Sequence, residues 1–185
     1  MFEQLIKKIA VALDKEKIPY MLIGGQAVLV YGTPRLTRDI DVTLGVDTDQ
    51  FLPLQRVCQK LGLKILPPNA EDFAVQTKVL PAEELKSRIR VDFIFSFSTY
   101  EQQALKRAKR ISFNNYPVKV AAPEDVIVHK MLAARAIDEE DIKSILLKNQ
   151  KKVNLNYIKK WLSEFAQLPD HKKILERFRT LYKNV

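Results

Sequence analysis

Apolar residues return at four-residue spacing at Leu5, Ile9 and Leu13, with Lys7, Lys8 and Lys15 elsewhere, and this predicts an amphipathic helix over 2–16. The apolar run at 20–23 predicts a short buried strand. Residues 26–31 predict a short helix and 39–43 a second strand. Asp47-Thr48-Asp49 offers capping oxygens for a helix that runs to Leu61 and stops at Gly62. A short strand at 63–66 and a Pro67-Pro68-Asn69 loop follow. The run FAVQTKVL predicts a strand at 73–80, with a turn or short helix at 81–86. RIRVDFIF predicts a strand at 88–95, 99–108 a helix, and 111–120 a hairpin around Asn114-Asn115. Pro123, Glu124 and Asp125 open a helix that continues as VIVHKMLAARAIDEEDI. Two closing helices at 154–166 and 169–183 carry the stripes Trp161, Leu162, Phe165 and Ile174, Phe178, Leu181. The pattern divides into a sheet-bearing domain, 1–121, and a helical region, 122–185, packed on it.

Within this pattern the stretch IGGQAVLVYGTPRLTRDIDV carries the chemistry. Gly24-Gly25 lies between the first strand and a helix, where glycine lets a phosphate approach backbone N–H groups and the helix dipole favours an anion. Asp39 and Asp41 sit two apart on a strand, so their side chains share one face while Ile40 and Val42 take the other. Carboxylates so close repel each other, and a divalent cation such as magnesium removes the repulsion. Thr37 shares their parity and either bonds a phosphate or simply sits in the strand. Arg35 and Arg38 either meet a triphosphate or the carboxylates, or are surface charges neutralising the aspartates. Arg38 immediately precedes Asp39 and so points to the opposite face. Asp47 and Asp49 read as helix caps. Asp92 is the lone acid of an apolar run, a costly placement unless it is paired or metal-bound. An ion pair with Arg90, at the same parity, is the alternative.

A glycine pair, a short helix, Asp-x-Asp on the next strand and a third carboxylate on a later strand resemble the signature of the DNA polymerase β-like nucleotidyltransferase superfamily, most of all its small stand-alone members. The resemblance implies an α/β (α+β) fold, with a mixed β-sheet flanked by helices and a C-terminal helical appendage. It implies that Asp39, Asp41 and Asp92 are catalytic and hold two Mg2+ ions. Gly24, Gly25, Arg35, Thr37 and Lys130 would contact the NTP, with Arg135 and Asp138 as accessory positions beside Asp141. Lys130 stands at the edge of an apolar stripe, from which it reaches a phosphate or snorkels to solvent. Asp138 alternatively only caps a helix. The activity implied is transfer of a nucleoside monophosphate from an NTP to the hydroxyl of an RNA or tRNA end, a protein or a small molecule. Some relatives are toxins, which implies an antitoxin protein as partner.

Composition narrows the setting. The 185 residues are 46% hydrophobic and 29% charged, as in ordinary globular proteins. No apolar run reaches membrane-spanning length, and the N-terminus lacks a secretion signal. The single cysteine, Cys58, reads as a buried thiol, and a cytoplasmic setting follows. His129 and His171 have no second His or Cys at metal spacing, which disfavours zinc. Of the net charge of +9, most lies in residues 142–185, where eleven Lys/Arg face three acids. This suggests RNA or another anionic partner, or else a lysine-rich solvated surface. The alternative to an enzyme is a non-catalytic relative of the same fold that binds RNA or a partner protein through the basic C-terminal helices. Retention of all three acids argues against it.

Overall fold

The computed structural model describes residues 1–149, 152–183 and 185. Lys151, one of the basic residues counted above, lies outside the described residues. The chain divides into two compact units, one of residues 1–26 and 37–121, the other of 27–36 and 122–185. Segment 27–36, which the sequence reading placed in the sheet domain, groups with the C-terminal helices.

The first unit is built on a mixed seven-stranded sheet. Its strands are β1 (Tyr20–Leu22), β2 (Asp39–Leu44), β3 (Leu63–Ile65), β4 (Val79–Glu84), β5 (Arg90–Phe95), β6 (Lys109–Phe113) and β7 (Tyr116–Val120), in the order β3-β4-β5-β2-β1-β7-β6. The β2–β5 and β1–β7 pairs are parallel and the rest antiparallel. Helix α1 (Phe2–Lys15) lays Ile6, Ile9 and Ala10 against Tyr20, Leu22, Ile40, Val42 and Val118. That is the face opposite to the one shared by Asp39 and Asp41, as the period-two alternation requires. Helix α2 (Gly24–Tyr31) follows β1 and is divided between the two units. The Asp47 carboxylate accepts the Thr48 N–H at 2.7 Å, capping the turn that leads into α3 (Phe51–Leu61), and Gly62 ends α3 in the left-handed conformation. Cys58 is fully buried on α3, and burial pushes its thiol pKa up to about 12.

Two expectations fail between residues 70 and 86. The run expected as a strand at 73–80 is mostly helix, α4 (Ala70–Thr77), and Lys78 turns the chain through φ 60° into β4. Phe73 and Val75 are exposed, so their apolar character does not mark a sheet face. Glu71 and Asp72 in the first turn suit a helix N-terminus. The segment expected as a turn or helix at 81–86 begins inside β4. Pro81 is accommodated there because its carbonyl accepts the Leu66 N–H at 3.0 Å, past the last paired residue of β3. Its missing N–H thus falls at the end of that ladder. Helix α5 (Thr99–Arg107) starts at Ser98, whose hydroxyl accepts the Glu101 N–H. The β6–β7 hairpin turns through Asn114 and Asn115, both at positive φ, a conformation asparagine tolerates well.

The second unit holds the remainder of α2 and helices α6 (Pro123–Ala133), α7 (Ala136–Asn149), α8 (Leu155–Phe165) and α9 (Ile174–Lys183). Ala134, at φ 55°, separates α6 from α7. The core of this unit joins Val28 to Ile127, Met131, Ile142, Ile145, Ile158, Leu162 and Phe178. The Asn149 amide donates to the Tyr31 carbonyl, and Lys148 to that of Gly32, each at 2.8 Å. These bonds secure segment 27–36. Among the described residues no helix is long and apolar enough to cross a membrane.

Candidate active site

The parallel register of β2 and β5 sets Asp41 opposite Asp92 and Asp39 opposite Arg90. Paired residues of adjacent strands project to the same side. Asp39, Asp41 and Asp92 therefore share one sheet face, all half-buried, while Ile40, Val42, Val91 and Phe93 are buried on the other. Thr37 donates to Asp39 Oδ1 at 3.2 Å, and the buried Gln26 amide donates to the Asp39 carbonyl at 3.4 Å. The Ile23 N–H donates to the Asp41 carbonyl at 2.9 Å, which carries β1 pairing up to the glycine turn.

Gly24 has φ +63°, and a Cβ built there would lie 1.9 Å from Asp41 Oδ2. Only glycine lets the turn close on that carboxylate without strain. Gly24→Ala should lower stability by roughly 1–2 kcal/mol through the left-handed backbone alone. It should also displace the Asp41 carboxylate, so any activity that depends on this face falls by more than the stability loss explains. Thermal melting and rate measurements on one preparation check both parts.

One of these carboxylates, Asp92, is paired with an arginine of its own strand. Arg90 Nε donates to Asp92 Oδ1 at 2.8 Å, with Arg90 55% and Asp92 18% exposed. That hydrogen bond raises the Arg90 pKa most, and the charges of Asp92, Asp39 and Asp41 add to it against the opposing effect of burial. Of the two sequence readings of Asp92, the ion pair with Arg90 is present, and the same residue stands opposite Asp41 across the ladder. Among the described residues no three His, Cys, Asp or Glu side chains are drawn together as a ready-made metal shell. The donor set nonetheless suits a hard divalent cation. All three groups offer carboxylate oxygens on one sheet face, the chemistry such an ion prefers.

The second unit collects the remaining expected site residues. Lys130, with a side chain only 4% exposed, donates to Asp138 Oδ1 at 2.7 Å and pairs with Asp141 Oδ2 at 2.8 Å. Arg35 grips Asp141 with two hydrogen bonds, Nε to Oδ1 at 2.7 Å and Nη2 to Oδ2 at 2.8 Å. Arg135 holds Asp138 through its backbone N–H, Nε and Nη2. Burial works to raise the pKa of both aspartates. The Arg35 and Lys130 bonds to Asp141, and the Arg135 and Lys130 bonds to Asp138, outweigh it and leave both below the usual carboxylate range. Lys130 does not snorkel. Asp138 both accepts the Arg135 N–H near the start of α7 and pairs with Lys130, so it does more than cap. Asp141, named in the sequence only beside the accessory positions, joins Arg35 to Lys130. Arg90 and Gln26 were not singled out as site residues, although the parity of Arg90 with Asp92 pointed to that side chain.

The family model described as "Nucleotidyl transferase of unknown function (DUF2204)" matches residues 2–180. No curated protein sequence matches the chain. Among solved structures, the chain resembles ANT(2")-Ia in complex with adenylyl-2"-tobramycin at 17% identity and TM-score 0.58, over 97% of this chain and 98% of that one. An antigenic nucleotidyltransferase-like protein from Paracoccidioides brasiliensis aligns at 19% identity and TM-score 0.55, over 94% of this chain and 91% of that one. The lincosamide antibiotic adenylyltransferase LnuA, bound to lincomycin, aligns at 16% identity and TM-score 0.50, over 72% and 89%. At these identities the structural likeness is one of fold.

Proposed function

The chain belongs to the nucleotidyl transferase family DUF2204, and from that premise we propose that it moves a nucleoside monophosphate from an NTP to an acceptor hydroxyl, using Asp39, Asp41 and Asp92. The observation that carries this reading is the register of β2 and β5, which sets Asp41 beside Asp92 and puts Asp39 on the same face.

Asp39, Asp41 and Asp92 would hold magnesium, which when bound supplies the positive charge that polarises the α-phosphate and neutralises the leaving pyrophosphate. The turn at Gly24 and Gly25 presents backbone N–H groups at the start of α2 to the β- and γ-phosphates. Asp92 accepts the proton of the acceptor hydroxyl as its oxygen bonds to the α-phosphorus and the bond to the β-phosphate oxygen breaks. Thr37 fixes Asp39 through its hydroxyl. In the second unit, Arg35 and Arg135 stay 27% and 67% exposed while they hold Asp141 and Asp138. We assign Lys130 to a supporting part, holding the two aspartates that orient those arginines.

Two acceptor classes have support. The lysine-rich segment 142–185 favours an RNA end. The fold shared with ANT(2")-Ia and LnuA favours a small polyhydroxylated molecule. The test is incubation with magnesium and each α-labelled NTP, with tRNA in one arm and a panel of aminoglycosides and lincosamides in another. Label transfer in one arm with release of pyrophosphate supports the reading and identifies the acceptor class. RNA binding without transfer from any NTP in either arm sinks it in favour of the non-catalytic alternative.

A further inference from the structure

We infer that Arg90 is the resident counter-cation of the three carboxylates, and that a divalent ion must displace its guanidinium to bind them. This rests on Asp39, Asp41 and Asp92 being the metal ligands.

Arg90 lies directly across the ladder from Asp39 and two residues before Asp92, so all three side chains project from one sheet face. Its Nε already occupies a lone pair of Asp92 Oδ1 at 2.8 Å. A metal ion coordinated by Asp92 needs the same electron density. A divalent ion on this face also repels the guanidinium, so the two equilibria are linked.

The opposite strand provides somewhere for the guanidinium to go. Glu83 on β4 is the register partner of Arg90, and Lys64 on β3 is that of Glu83. The row Lys64, Glu83, Arg90, Asp39 thus alternates in charge across four strands. Glu83 now pairs with the exposed Arg88 at 2.7 Å, and its carboxylate stands on the same face as Arg90. A guanidinium released by Asp92 therefore meets a second acid without crossing the sheet. Half-exposed and on a long flexible stem, Arg90 is free to make that exchange.

Arg90 then sets a threshold. It offsets part of the cluster's charge when divalent ions are scarce and lowers their affinity by the work of its own displacement. The experiment is an Mn2+ titration of the full chain without nucleotide, followed by the electron paramagnetic resonance signal of the free ion. Wild type is compared with Arg90→Met, Arg90→Gln, Arg90→Lys and Asp41→Asn. Both neutral variants should bind Mn2+ roughly three- to tenfold more tightly, since a partly exposed charge-assisted pair has been removed. Arg90→Lys should stay close to wild type, and the gain should shrink in high salt. The same neutral variants should show a larger rise in Tm on adding Mn2+ than wild type does. Wild-type binding that is lost in Asp41→Asn but unchanged or weakened in both neutral variants overturns the role of Arg90 alone. Wild-type binding no tighter than that of Asp41→Asn removes the metal site itself, and this inference falls with it.

Discussion

Asp41→Asn should reduce nucleotidyl transfer by about a thousandfold or more while leaving the Tm at or above that of wild type. The magnitude follows from the proposed role. A carboxylate that holds a catalytic divalent ion supports several kcal/mol of transition-state stabilisation, and each 1.36 kcal/mol is a factor of ten in rate. The stability half follows from the register. Asp41 stands between Asp39 two residues before it and Asp92 across the ladder, on one half-buried face. Asparagine keeps the shape and removes one of three like charges, which relieves repulsion. Activity and stability therefore part company, whereas a residue serving only the fold would lose both together. Transfer that survives in Asp41→Asn at a tenth of the wild-type rate would remove the proposed centre.

Lys130→Met should be the most destabilising single substitution among the site residues, at about 3–5 kcal/mol, because it leaves two buried carboxylates without their shared cation. For a chain of this size that corresponds to a fall in Tm on the order of 10 °C. The loss should depend on pH in one direction. Asp138 and Asp141 are held below the usual carboxylate range in the folded protein, so their charged forms stabilise it above the unfolded pKa of about 4. That contribution fades as pH falls through the folded values. The gap between wild type and Lys130→Met should accordingly be widest near neutrality and should narrow below about pH 5, as the variant's carboxylates, each left with only its arginine, take up protons. Melting curves between pH 4 and 8 check this. A gap independent of pH would mean that methionine fails for reasons of packing and not of charge.

The centre of the sheet was legible because its signals are local. Alternation along DIDV and RIRVDF fixes which side chains share a face, and one parallel pairing then brings Asp41 to Asp92. Helix α4 was missed because Phe73 and Val75 look like sheet residues although they face solvent, and no periodicity reports exposure. The acids Glu71 and Asp72, which suit the first turn of a helix, were the better guide there. Pro81 misled in the opposite sense, since its tolerance depends on where β3 stops, which only the ladder shows. In the second unit, Lys130 stood at the margin of an apolar stripe, where reaching a phosphate and snorkelling look alike in sequence. Its burial depends on Asp141 and on Arg35, 106 residues away from Asp141 along the chain. A contact of that separation leaves no periodic trace.

The placement of Cys58 on the buried side of α3 leaves the chain chemically silent towards maleimides and iodoacetamide. Those reagents need an accessible thiolate, and this thiol is shut away from solvent and almost wholly protonated near neutral pH. The native protein is thus its own cysteine-free background. A single cysteine introduced at Leu36, which is 78% exposed, would carry a fluorophore or spin label alone, with no need to engineer out the residue nature supplied.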